Sequence, residues 1–131
     1  MREVKRRRHS NYRCRIMAGR KIPIHNVTPG EALENNAFCM LPWIHMHITP
    51  DGKALPCCIG NMEYADEIGR KDKTLEQMVN SDFMKDLRLK MIKGERHEIC
   101  NGCHRVEDSG SGSWSFRKTV NKKYGKYVGN I

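Results

Sequence analysis

Long apolar runs are missing from this sequence, and nothing in it approaches the ~20 apolar residues that cross a bilayer. No membrane association is therefore expected. The basic start, Met1-Arg-Glu-Val-Lys-Arg-Arg-Arg-His9, has no apolar stretch behind it. A secretory signal needs that stretch, so the expected location is cytoplasmic. A Gly-rich phosphate loop and a nucleophile motif are lacking too, since Gly110 and Gly112 fall in a Ser-Gly stretch that reads as a flexible link. Glu107 and Asp108 adjoin in sequence, but nothing marks them as an acid and base pair. No internal repeat is present. With 38% hydrophobic and 30% charged residues, one domain with a modest core is expected, of the kind often helped by a metal site or crosslinks.

What is present in quantity is positive charge and cysteine. The formal net charge is +9. Residues 1–21 contain nine Lys or Arg against one Glu, and the rest of the chain is nearly balanced at 15 against 14. The basic character thus belongs to a tail. Such a run contacts nucleic acid electrostatically in some proteins, and is more often a solvated extension. Six cysteines in a reducing compartment read as metal ligands before disulfides.

Residues 1–36 carry Pro23, Pro29 and Gly30 without sustained periodicity and are expected to be largely irregular. Trp43-Ile-His-Met-His-Ile-Thr49 alternates as a half-buried strand does. Pro50-Asp51-Gly52 is a turn: proline presets φ, Asp caps its own backbone and Gly accepts positive φ. Ala54-Leu-Pro-Cys-Cys58 returns as an edge strand, because Pro56 has no N–H to give a ladder. Residues 60–73 read as a connection. Thr74-Leu-Glu-Gln77 has the form of a capping box, and Leu75, Met78 and Val79 share a helix face. Ser81 is placed as a second N-cap, with Phe83, Met84, Leu87 and Met91 at helical spacing. Gly94 is placed to stop that helix. Residues 114–127, basic and aromatic, are expected to hold a short helix. The expected fold is small α+β: a β-hairpin, short helices and a cysteine loop around a metal cluster, behind an irregular basic tail.

A hairpin brings the start of one strand beside the end of the other, so Cys39 and the Cys57/Cys58 pair become neighbours. Consecutive strand residues face opposite ways, so only one of Cys57 and Cys58 is expected to face a given site. Cys100 and Cys103 form C-x2-C, a spacing at which two thiolates converge. Two separated pairs make a four-thiolate site suited to zinc or iron–sulfur.

The pattern Cys39-x12-Gly52-x4-Cys57, then a gap, then Cys100-x2-Cys103, resembles the twitch domain. This is the shortened form of the SPASM auxiliary-cluster domain of radical SAM enzymes. The stretches from Phe38 to Cys58 and from Thr74 to Arg88 look especially like family members. The likeness covers about residues 37–108 and continues more weakly through residues 109–124. It implies one [4Fe–4S] cluster ligated by Cys39, Cys57, Cys100 and Cys103, used for electron transfer or substrate positioning beside a radical SAM enzyme or core domain. It implies three regions: an extension at 1–36, the cluster domain at 37–108, and a link with a basic–aromatic segment at 109–131. The sequence departs from the full enzymes in having no C-x3-C-x2-C, the triad that holds their catalytic cluster and S-adenosylmethionine. Activity of this chain alone is therefore not expected, and the radical SAM partner would lie on a separate chain.

The alternative is a zinc ion on the same four cysteines, in a module that contacts nucleic acid through residues 1–21. Cys100-Asn-Gly-Cys103-His104 also matches the c-type haem signature, which would leave the hairpin cysteines unexplained. Cys14 and Cys58 are read as extra thiols. His45, His47, His97 and His104 are read as surface or satisfied interior groups rather than ligands. Met78, Met84 and Met91 are read as core.

Overall fold

The computed structural model describes residues 32–110 and 115–126. The expectations for residues 1–31, including the basic run proposed for nucleic acid, and for residues 111–114 and 127–131, lie outside the described residues.

The architecture is α-rich around one two-stranded antiparallel hairpin. Helix α1 spans Leu41–Ile44, and strands β1 (His47–Ile48) and β2 (Ala54–Leu55) follow. The hairpin pairs His47 with Leu55 and Ile48 with Ala54. Its turn closes with the Gly52 N–H donating to the Thr49 carbonyl at 2.8 Å. Gly52 has φ 84°, and a Cβ there would sit 2.8 Å from Lys71 Cβ, so the turn needs glycine on two counts.

The expected strand Trp43–Thr49 is mostly not strand. Pro42 stands in the first turn of α1, where its missing N–H costs nothing, and Leu41, Pro42 and Trp43 are all buried. The helical turn brings the Trp43 ring to 4.9 Å, centroid to centroid, from Phe38. Ile44 and Ile48, which follow the alternation of the expected strand, are both exposed. Burial of a large aromatic pair outweighs the weaker period-2 pattern. The return strand is also shorter than expected, with Cys57 and Cys58 in the turn beyond it. Its outer side is met at one point by a bridge between Lys53 and Arg70.

Residues 60–73, read as a connection, contain a 3-10 turn at Met62–Tyr64 and helix α2 at Ala65–Ile68. Ala65 and Ile68 are buried against β2, whose Ala54 and Leu55 are both buried. Helix α3 (Leu75–Val79) starts at the expected capping box, with Thr74 and Gln77 bonded reciprocally. Helix α4 (Asp82–Lys93) is capped by the Ser81 side chain, which accepts from the Met84 N–H, and it ends at Gly94 with φ 78°. Its buried face is Met84, Leu87, Arg88, Met91 and Ile92. Arg88 fixes α4 to α1 by donating to the Pro42 carbonyl at 2.8 Å, and reaches the Val79 carbonyl at 2.7 Å.

The cysteine loop is helical rather than irregular. Glu98–Cys100 is a 3-10 turn that runs into helix α5 (Asn101–Asp108). Helix α6 (Phe116–Tyr124) forms where the basic–aromatic segment is expected to be helical, with Ser115 as its N-cap. It is packed onto the body: Asn121 accepts from the Met40 N–H at 3.0 Å and donates to the Phe38 carbonyl at 2.8 Å. On the other side, Asn35 donates to the Met91 carbonyl at 3.0 Å and accepts from the Ala37 N–H at 2.9 Å. Side-chain amides from both ends of the described chain therefore hold the segment that carries Cys39. Among the described residues no helix is long and apolar enough to cross a membrane.

Candidate metal centre

Three backbone turns, one from each part of the core, bring the cysteines to one place. Cys39 sits between the Asn35 turn and α1. Cys57 begins the turn after β2, where the Gly60 N–H donates to the Cys57 carbonyl at 3.2 Å. Cys100 ends the 3-10 turn, and Cys103 lies in the first turn of α5. Residues three apart on a helix share a face, which is why C-x2-C turns both sulfurs the same way. The Asn61 N–H donates to the Ile99 carbonyl at 3.0 Å and ties the Cys57 turn to the Cys100 turn.

Cys39, Cys57, Cys100 and Cys103 together line one recess. Leu41, Ile59, Ile99 and Phe116 supply its apolar wall, and Arg117 is the one charged residue of the lining among the described residues. The empty space is about 310 Å³ with the open mouth included. Cys58 is exposed and is not part of the lining. Cys14 lies outside the described residues.

The sulfurs are shielded from water and met by backbone donors. Burial pushes the Cys39 thiol up to about 12, against the pull of the Leu41 N–H and the Arg117 charge. Burial pushes Cys57 up to about 11, opposed by the Ile59 and Gly60 N–H groups. Cys100 is raised by burial and by the other three sulfurs, and Cys103 by burial against the N–H groups of Arg117 and Phe116. Desolvation keeps each group a neutral thiol, while hydrogen bonds to sulfur favour the thiolate. A soft cation is what such a set accepts: it takes the place of the protons, and the N–H groups stabilise the resulting anionic sulfur. The donor set, four thiols with backbone N–H groups at the sulfurs, fits an iron–sulfur cluster. Among the described residues no three Cys, His, Asp or Glu side chains converge on a point where one metal ion would sit.

The histidines do other things. His97 accepts the Ile99 N–H on Nδ1 at 3.1 Å and so caps the turn carrying Cys100. Its ring packs edge-on against Tyr64 and Phe83, and burial, then Lys90, lowers its pKa. His104 is buried beside Cys103, with Nδ1 4.0 Å from a Glu107 oxygen. Burial, then Arg96, lowers its pKa. His45 is exposed and His47 half-buried on the hairpin side, and no histidine among the described residues lines the recess.

Sequence reasoning missed the Glu107–Arg117 pair. Arg117 Nε and Nη2 donate to the two Glu107 oxygens at 2.9 and 2.7 Å, and Ser115 Oγ donates to Glu107 at 2.6 Å. Its only sequence signal was a carboxylate and a guanidinium ten positions apart across a Ser-Gly stretch, which no local rule connects.

Fold and site together define a small α-rich domain that gathers four thiols at one recess. The family model described as SPASM, an iron-sulfur cluster-binding domain, matches residues 39–104. That is half of the 131-residue chain, and the chain belongs to this family, whose cofactor is an iron–sulfur cluster. No curated protein and no solved structure matches it significantly.

Proposed function

We propose that Cys39, Cys57, Cys100 and Cys103 ligate a single [4Fe–4S] cluster, and that the chain is a twitch-type accessory module for a radical SAM partner on another chain. The observation that carries this reading is that the four motif cysteines, from three distant parts of the sequence, line one recess. A zinc ion needs four sulfurs about 3.8 Å apart, given zinc–sulfur bonds of ~2.3 Å in a tetrahedron. A four-iron cluster places each thiolate on a different iron and suits a wider set. The family's iron–sulfur cofactor favours the cluster.

When bound, such a cluster supplies a one-electron couple whose potential depends on the charge, hydrogen bonds and exposure around it. The chain's own residues set those conditions. Leu41, Ile59, Ile99 and Phe116 exclude water, and backbone N–H groups hold Cys39, Cys57 and Cys103 ready to carry negative charge. Four thiols for four irons leave no iron open to a substrate, so electron transfer is favoured over direct substrate ligation. In this reading the radical chemistry belongs to the partner, and the protein works in a reducing compartment, the cytoplasm.

The test is metal analysis of anaerobically purified protein. About four iron and four sulfide per chain are expected; colourless protein holding one zinc contradicts the reading.

A further inference from the structure

Arg117 lies beyond the segment that the family model matches, yet it is 4% exposed and lines the cysteine recess. Its Nη1 donates to the Phe38 carbonyl at 2.9 Å and to the Asn35 carbonyl at 3.4 Å. Its remaining donors hold Glu107 in a two-bond fork. One side chain thus joins the residue before Cys39 to the helix that carries Cys103. A buried ion pair seldom adds stability over apolar residues of the same volume, so packing alone does not account for a charged pair here.

The pair is also oriented. The guanidinium is fixed at the Phe38 carbonyl, next to Cys39, and Arg117 lines the recess, whereas Glu107 is not part of the lining. At Cys103 the N–H groups of Phe116 and Arg117, in the first turn of α6, face the sulfur. Helix α6 therefore turns its positive end toward the thiols and carries Arg117 at the recess wall.

We propose that Arg117 is a positioning residue for the cluster: it clamps the Cys39 segment to α5 through Glu107 and sets a positive charge on the recess wall that raises the cluster's reduction potential. The inference rests on the four-cysteine ligation proposed above. A cluster with four thiolates is anionic and gains further negative charge on reduction, so a nearby cation stabilises the reduced form more than the oxidised one.

The test compares Arg117→Gln, Arg117→Lys and Glu107→Gln in full-length protein, each reconstituted anaerobically with ferrous iron and sulfide. The readouts are iron per chain and the midpoint potential from a redox titration followed by electron paramagnetic resonance. Arg117→Gln is expected to shift the potential negative and Glu107→Gln to shift it positive, with Arg117→Lys closest to wild type. A purely structural role would loosen the cluster in all three without opposite shifts. Should Arg117→Gln fail to fold, the Glu107→Gln shift decides the sign. Unchanged potentials, or shifts of one sign in the two Gln variants, overturn the proposal. Wild-type protein that takes up no iron overturns the ligation itself, whereas iron-loaded wild type with unshifted variants overturns only the role of Arg117.

Discussion

The two sides of this domain are held in different ways. Helix α4 is an ordinary stable element: twelve residues, capped at Ser81, stopped at Gly94, with Met84 and Leu87 fully buried. The recess side is made of short turns, none of which would persist alone. They are joined by single side chains: Asn35, Asn121 and Arg117 each bond backbone from another segment, and His97 caps the turn that carries Cys100. Four desolvated thiols sit at the junction and offer each other only weak contacts. The difference teaches that α4 and its neighbours supply stability, while the recess is a preformed demand for a soft ligand.

The largest effect is expected at the thiols. Cys39→Ala or Cys103→Ala should abolish iron retention and lower the melting temperature of the loaded protein, because metal binding and folding free energy are coupled. Cys58→Ala, altering a thiol that faces solvent, should leave both unchanged; loss of iron in that variant would break the comparison. Next comes the core. Leu87→Ala should cost about 2–5 kcal/mol in chemical denaturation, yet iron per folded chain should remain at the wild-type level. A fall in iron in step with stability would mean that the two sides are not separable.

A smaller effect is expected in acid. Burial raises the Glu107 carboxyl, but the hydrogen bonds and charge of Arg117, with Ser115, outweigh it and hold the group below its ordinary value of 4.5. A depressed carboxylate contributes stability that is present above its unfolded pKa and lost as pH falls through the folded one. Stability of metal-free protein should therefore fall below about pH 4.5, and Glu107→Gln should flatten that limb of the curve. Least of all, Ser81→Ala should cost about 0.5–2 kcal/mol by removing the α4 cap, with no change in the visible spectrum of the loaded protein. A spectral change would show that α4 reaches the recess.

Local signals were legible where the chain obeys local rules. The Gly52 turn, the Thr74–Gln77 box, the Ser81 cap and the Gly94 stop each stand where their residue types require. Cys39, Cys100 and Cys103 with one of Cys57 and Cys58 were legible from a hairpin and a C-x2-C spacing, and the choice of Cys57 came from the family resemblance. What escaped depends on tertiary partners. Trp43 reads as strand until Phe38 claims it, and α2 reads as a polar connection until β2 buries Ala65 and Ile68. Arg117 reads as one more basic residue until Glu107 and the Phe38 carbonyl fix it at the recess. The wall of the site was written in residues whose meaning comes only from what they touch.

Iron K-edge X-ray absorption on the anaerobically loaded wild-type chain tests the shared four-thiol centre most directly. All-sulfur coordination with strong iron–iron scattering is predicted, and it should vanish in Cys39→Ala. Isolated iron bound by nitrogen or oxygen, or an intact iron–iron signal in that variant, would contradict the account.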